Sequence, residues 1–214
     1  MADKNRAIRE LAENYNISFG ERLFIRRGYK KLRGLIEERC KNKEKRMLLD
    51  IGCGPGVFSD IFRERERERE REFLYGLDSS LNSLNSKRVF NRVCGDVVCS
   101  PFKDNSFDVV ISRSSMGYWS NKGKSFDEIL RILKPGGHFF ISDIKKTENK
   151  MLKCLLLLLD IILVGSFKKM DKTRYAIDTR CDVGGLKLLL STKKIDFRIK
   201  DHLLIYFIVI GRKK

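Results

Sequence analysis

The ten residues Met47–Gly56, M-L-L-D-I-G-C-G-P-G, constrain this chain more than any other stretch. A short apolar run carries an acid, Asp50, then glycine recurs at 52, 54 and 56, and V-F-S-D-I-F follows with helical spacing. The order is strand, glycine turn, helix. Glycine has no Cβ, so such a turn is tight and lets backbone lie against a ligand. The helix that starts there points unpaired N–H groups at whatever sits in front of it. A dinucleotide loop would space its glycines G-x-G-x-x-G, and a phosphate loop would close on Gly-Lys-Ser/Thr. Here the third glycine comes one residue early, and Val57-Phe58 stands where the lysine would be. The turn therefore serves a different ligand, or none.

Further acids recur at the ends of short strand-like runs. Phe73–Asp78 is one such run and Asn91–Asp96 another. Carboxylate oxygens only accept hydrogen bonds, so two ribose hydroxyls can both donate to Asp78. The same acid could instead cap a helix beginning at Ser79-Ser80. Next come S-P-F-K-D-N-S-F-D (100–108), a strand over Val109–Ser112, and the loop S-R-S-S-M-G-Y-W (112–119). A helix over Phe126–Leu133 then meets L-K-P-G-G (133–137), where proline and glycine stop it and turn the chain. His138–Asp143 reads as a fifth strand, with His138 at its start, far from the ligand edge.

The glycine turn, the two acids, P-F-x-D-x-S-F-D and L-K-P-G-G, in this order, resemble the class I S-adenosylmethionine-dependent methyltransferases, UbiE-like (methyltransferase domain 11) type. The resemblance is strong over about residues 45–145 and moderate in the tail. It implies an α/β Rossmann-like fold: a mostly parallel seven-stranded sheet with helices on both faces and an antiparallel last strand. It implies S-adenosylmethionine as cofactor, with S-adenosylhomocysteine as product. Gly52, Gly54 and Gly56 would approach the methionine part, and Asp50 would orient the amino group. Asp78, with Ser79 beside it, would hold the ribose, and Asp96 with Val97 the adenine. Ser112 and Arg113 would face the methionine end. The 112–119 loop is similar to an S-R-G-S…W form of one subset, with Ser114 where that subset has glycine. In open α/β sheets the ligand lies beyond the carboxyl ends of the strands. Arg113, Tyr118 and Trp119 are therefore candidates beside the transferred methyl group. Arg113 would hold an anionic substrate or a cofactor carboxylate. Alternatively, the loop residues pack against the 126–133 helix. No His–acid pair names a general base. No cluster has metal-ligand spacing, so no metal is expected.

The net charge of +17 is unevenly placed. Residues 1–46 hold 14 Lys/Arg against 7 Asp/Glu, residues 47–143 hold 14 of each, and residues 144–214 hold 17 against 7. The central segment is neutral and the flanks are basic, which favours anionic partners or simply solubility. The six cysteines form no C-x-x-C pair, and the N-terminus lacks a signal peptide's apolar core, so a cytoplasmic protein with free thiols is expected.

A single methyltransferase domain over 1–214 follows. Residues 1–45 form an amphipathic helical cap and 46–145 the cofactor core. Residues 146–180 form a Leu-rich insertion, and 181–214 the last helix and a β-hairpin, with His202 in its connection. The R-E repeat over 63–72 carries no apolar residue and reads as a solvated extension of the first core helix or a loop. Within the insertion, 151–167 is broken by Lys153 and Asp160, short of a membrane span. A core helix, a lid over an apolar substrate and a membrane-surface helix remain open. The expected function is methyl transfer to a small apolar or aromatic acceptor. The alternatives are an RNA or other anionic substrate, and a non-catalytic S-adenosylmethionine-binding module. The oligomeric state is not specified by the sequence.

Overall fold

A computed structural model of the protein describes residues 19–40, 46–66, 72–85, 91–146, 149, 151, 180–202 and 206–214. The first helix among the described residues, α1, spans Phe19–Arg39. It is followed by β1 (Arg46–Ile51), α2 (Val57–Glu66), β2 (Glu72–Asp78), the one-turn α3 (Leu81–Leu84) and β3 (Asn91–Cys94). Then come β4 (Phe107–Arg113), α4 (Lys122–Ile132), β5 (Leu133–Ile144), α5 (Val183–Ser191), β6 (Ile195–His202) and β7 (Tyr206–Lys213). Two 3₁₀ turns, Val97–Cys99 and Met116–Tyr118, follow β3 and β4.

The strands form one seven-stranded sheet in the order β3-β2-β1-β4-β5-β7-β6. β1 to β5 pair in parallel, and β7 runs antiparallel to both β5 and β6. This is the expected architecture, with the antiparallel last strand inserted inside the sheet rather than at its edge.

Burial explains the strand sequences. All seven residues of β4 are buried, as expected of a central parallel strand covered on both faces. On one face, Tyr29, Leu32 and Ile36 of α1 pack with Val57, Phe58, Ile61 and Phe62 of α2 over Leu48, Val109, Ile111 and Phe140. Those positions recur at helical spacing, so each helix presents one apolar stripe. On the other face, Phe126, Ile129 and Ile132 of α4 and Leu186 and Leu190 of α5 cover Leu49, Val110, Phe139, Ile141 and Phe207.

Two expected boundaries shift. L-K-P-G-G is not a separate turn before the fifth strand. Leu133 already pairs with Phe107, and the ladder then breaks and resumes at Val109↔His138. The helix thus runs directly into an irregular β5, and Gly136, at φ +74°, absorbs the kink. His202 is the last residue of β6 rather than part of the connection.

α2 continues into the R-E repeat as far as Glu66, and Glu72 opens β2. Residues 67–71 lie outside the described residues, as do 1–18 of the cap and nearly all of the Leu-rich insertion. Among the described residues, no helix is long and apolar enough to cross a membrane.

Candidate functional site

The order 3-2-1-4-5 places β1 and β4 side by side where the chain's direction of travel across the sheet reverses. Ligands bind at such a switch point, beyond the carboxyl ends of the strands. Asp50, Gly52, Asp78, Ser112 and Arg113 lie at that edge because each ends or nearly ends a strand or begins the loop after it.

After β1 the chain turns through Gly52, Gly54 and Gly56, at φ +69°, +53° and +85°, a region open to glycine and strained for other residues. The turn is tied to the end of β2. Gly52 and Cys53 N–H donate to Leu77 O at 2.8 and 3.2 Å, and Gly54 N–H donates to Asp78 Oδ2 at 2.8 Å. Asp78 Oδ1 accepts from Ser80 N–H at 2.9 Å. The helix-cap reading of Asp78 does not hold: Ser80 caps α3, its Oγ accepting from Ser83 N–H at 3.2 Å. Asp78 instead holds the backbone of that cap residue, and each of its oxygens keeps a second lone-pair direction for a donor. A Cβ added at Gly54 would meet open space, so the turn's outer side is free for a ligand.

Asp50 is buried, 2% exposed. Burial, and then the nearby Asp78 charge, hold its carboxyl well above the usual range. Asp78 is raised by burial against two opposing backbone hydrogen bonds. Two neighbouring carboxyl groups that both resist ionisation form a place where a cation would be welcome. Tyr29 of α1 lies over Asp50, with its hydroxyl 3.5 Å from Oδ1.

Asp96 caps the 3₁₀ turn after β3, and its Oδ1 accepts from Val98 N–H at 3.1 Å. Val97 is buried. The segment that follows is clamped by α4. Arg131 donates to Ser100 O and Phe102 O at 3.0 and 2.8 Å and to Asp104 and Glu128, while Glu128 accepts from Ser100 N–H at 3.0 Å. That clamp also drives the Arg131 pKa up, chiefly through Glu128.

The loop after β4 divides its candidates. Ser112 is fully buried, with its Oγ 2.5 Å from Ser115 Oγ. Ser115 Oγ donates to Ile51 O at 3.2 Å, and Trp119 Nε1 donates to Ser115 Oγ at 3.2 Å. A Cβ at Gly52 would collide with Ser115, so the two loops are packed backbone to side chain. Trp119 does not wall an open pocket. It is 8% exposed and meets Phe126 edge-on at 5.8 Å, as the helix-packing alternative requires. Tyr118 is exposed. Arg113 is buried, its guanidinium 5.8 Å from the Tyr29 ring and 5.5 Å from the Tyr206 ring, so α1, β4 and β7 meet on it. Ser79 lies exposed beside Asp78, and its carbonyl accepts weakly from Cys94 Sγ at 3.9 Å.

Sequence reasoning missed Tyr29 and Tyr206 as partners of the site, and it missed Asp143. Asp143 nearly ends β5, as Asp50 nearly ends β1 and Asp78 ends β2, and that pattern could have singled it out. Its Oδ2 accepts from Gly117 N–H at 3.1 Å and its Oδ1 from Ile144 N–H at 2.7 Å, which fixes the loop after β4 to β5. Burial pushes its carboxyl up to about 6. Among the described residues, no group of His, Cys, Asp and Glu could hold a metal ion.

Comparison with known proteins agrees with this geometry. Residues 49–141 match the family described as a methyltransferase domain. The chain is 33% identical over 113 residues to the Methanocaldococcus jannaschii protein MJ0638, covering 52% of this chain and 47% of that one. It is 36% identical over 120 residues to the sterol 4-C-methyltransferase strm-1 of Caenorhabditis elegans, covering 53% and 36%. The chain thus spans at most about half the length of these curated relatives. The fold superposes on the crystal structure of an S-adenosylmethionine-dependent methyltransferase from Aquifex aeolicus with a TM-score of 0.60, at 18% identity, over 88% of this chain and 98% of that one. Residues 49–141 thus resemble methyltransferase domains, and the chain shares its fold with an S-adenosylmethionine-dependent methyltransferase.

Proposed function

We propose that this protein transfers a methyl group from S-adenosylmethionine to a small-molecule acceptor. The observation that carries this is the buried Asp50 and the half-buried Asp78, set around a positive-φ glycine turn at the β1/β4 switch point. The donor set suits the cofactor. Its ammonium answers the two carboxyl groups, its ribose diol suits the free lone pairs of Asp78, and the turn has no lysine for a phosphate. Gly52, Gly54 and Gly56 would lie along the methionine part. Ser79 would flank the ribose, and Asp96 with the Val97 backbone would read the adenine edge. Ser112 and Arg113 would close the methionine end, Arg113 as the cation for the carboxylate.

The cofactor supplies an already activated methyl on a sulfonium, so the protein's task is alignment and exclusion of water. α1 does part of this by placing Tyr29 over Asp50 and Arg113. The sterol methyltransferase among the relatives supports a small acceptor. The seven strands, drawn from residues 46 to 213, support a single domain.

The test is transfer of a tritiated methyl from S-adenosylmethionine into cell extract, followed by size fractionation. Label in the small-molecule fraction is expected. Label confined to RNA or protein would overturn the small-acceptor reading.

A further inference from the structure

Strands β1 to β5 are parallel, so the connections that follow them leave from one edge of the sheet, the edge that holds the glycine turn. Three large apolar side chains are exposed in those connections: Leu81 after β2, Tyr118 after β4 and Met151 after β5, at 64, 37 and 83% exposure. The other two among the described residues lie apart, Phe73 near the start of β2 and Leu188 on α5. A single exposed apolar residue needs no explanation, but several on one edge mark an interaction surface.

The same edge is cationic. α1 runs from this edge, where Gly28 meets Arg113, to the opposite one, where Cys40 Sγ lies 3.8 Å from His138 Nδ1. Arg27, Lys30 and Lys31 recur at helical spacing in its first half and are exposed. Glu21 and Arg22 before them offset each other, and Glu37 and Glu38 lie near the far end. Lys124 is exposed in the first turn of α4, where the helix dipole disfavours a cation, so helix stability does not account for it.

Apolar side chains set among cations fit a particular partner. A bilayer with anionic headgroups attracts Lys and Arg and takes Leu, Met and Tyr into its interfacial layer. Nucleic acid would answer the cations and stack on Tyr118, but would leave Leu81 and Met151 in water. We propose that this edge docks on an anionic lipid surface. Docking sets the cofactor edge against the bilayer, from which an apolar acceptor enters; that consequence rests on the proposed methyl transfer.

The test is co-sedimentation of the full chain with vesicles of phosphatidylcholine alone and with about one third phosphatidylglycerol. Binding is expected to the anionic vesicles and not to the neutral ones. A cation at such a surface is worth about fivefold, so Arg27→Ser/Lys30→Ser/Lys31→Ser should bind roughly a hundredfold more weakly. Arg39→Ser/Lys194→Ser/Lys214→Ser removes the same charge at the opposite edge and should lose less than about fivefold. Leu81→Ser/Met151→Ser should lose about tenfold. Hydrogen exchange of the wild type needs no variant: anionic vesicles should protect residues 79–84 and 114–121 and leave the 103–106 turn, at the opposite edge, unchanged. Failure to bind anionic vesicles would overturn the docking. So would equal loss in the two charge variants, no loss in Leu81→Ser/Met151→Ser, or protection confined to other segments. Binding to polyuridylate in place of vesicles would assign the edge to nucleic acid and overturn it too. Vesicle binding by a protein that takes no S-adenosylmethionine would uphold the docking and overturn the methyl-transfer reading alone.

Discussion

Gly28 of α1 lies directly against the guanidinium of Arg113 at the end of β4, and a Cβ at position 28 would occupy the space of Arg113 Nε. The guanidinium cannot retreat freely, because it is held between the rings of Tyr29 and Tyr206. Glycine inside a helix ordinarily costs about 1 kcal/mol relative to alanine. Gly34 of the same helix shows that ordinary case, since a Cβ there meets nothing within 4 Å. Gly34→Ala should therefore stabilise the protein by up to about 1 kcal/mol. Gly28→Ala should destabilise it by about 1–3 kcal/mol, the range for overpacking. Urea denaturation of both variants checks the opposite signs.

Asp143 should make stability depend on pH. Its folded pKa, raised to about 6 by burial, lies above the value of about 4 for an unfolded chain. The folded state thus holds the proton more tightly, and the contribution is full below about pH 4 and lost as pH rises through 6. Two pKa units correspond to roughly 3 kcal/mol. Asp143→Asn keeps a carbonyl acceptor but no titration. Its stability relative to the wild type should improve by about 2–3 kcal/mol between pH 4 and 7. Denaturation curves that stay parallel across that range would contradict the burial assigned to this carboxyl.

Arg131 should matter more than a part-exposed arginine usually does. It bonds the carbonyls of Ser100 and Phe102 as well as two carboxylates, so it fixes the path of the segment after Asp96. Lysine cannot reproduce this fork. Arg131→Lys should cost about 2 kcal/mol of stability, the scale of charged hydrogen bonds. It should also weaken S-adenosylhomocysteine more than it weakens an analogue without the adenine amino group. Calorimetry with the two ligands measures the difference.

The sequence made the sheet and the cofactor edge legible because both are local patterns. An apolar strand, its terminal acid and the glycine turn lie within ten residues, and Asp50, Asp78 and Asp96 each carry their own context. Arg113 was visible only as a loop residue. Its partners Tyr29 and Tyr206 lie 84 and 93 positions away, and nothing local marks such meetings. Trp119 reads equally well as pocket wall or core, and the packing of Phe126 decides it. L-K-P-G-G signals a break, but parallel pairing with β4 recruits Leu133 into β5 despite the proline and glycines that follow. The departure at Ser114 was visible in the sequence, but its left-handed backbone, at φ +53°, was not.

The central claim is that Asp50, Asp78 and the glycine turn receive S-adenosylmethionine. Calorimetric titration with S-adenosylmethionine and S-adenosylhomocysteine, repeated on Asp78→Ala, tests it most directly. The wild type should bind both with dissociation constants on the order of micromolar, as expected where ligand affinity tracks cellular substrate levels. The variant should lose about a hundredfold or more, the scale of about 3 kcal/mol for hydrogen bonds to a charged group. Absence of binding by the wild type, or equal binding by Asp78→Ala, would contradict the account.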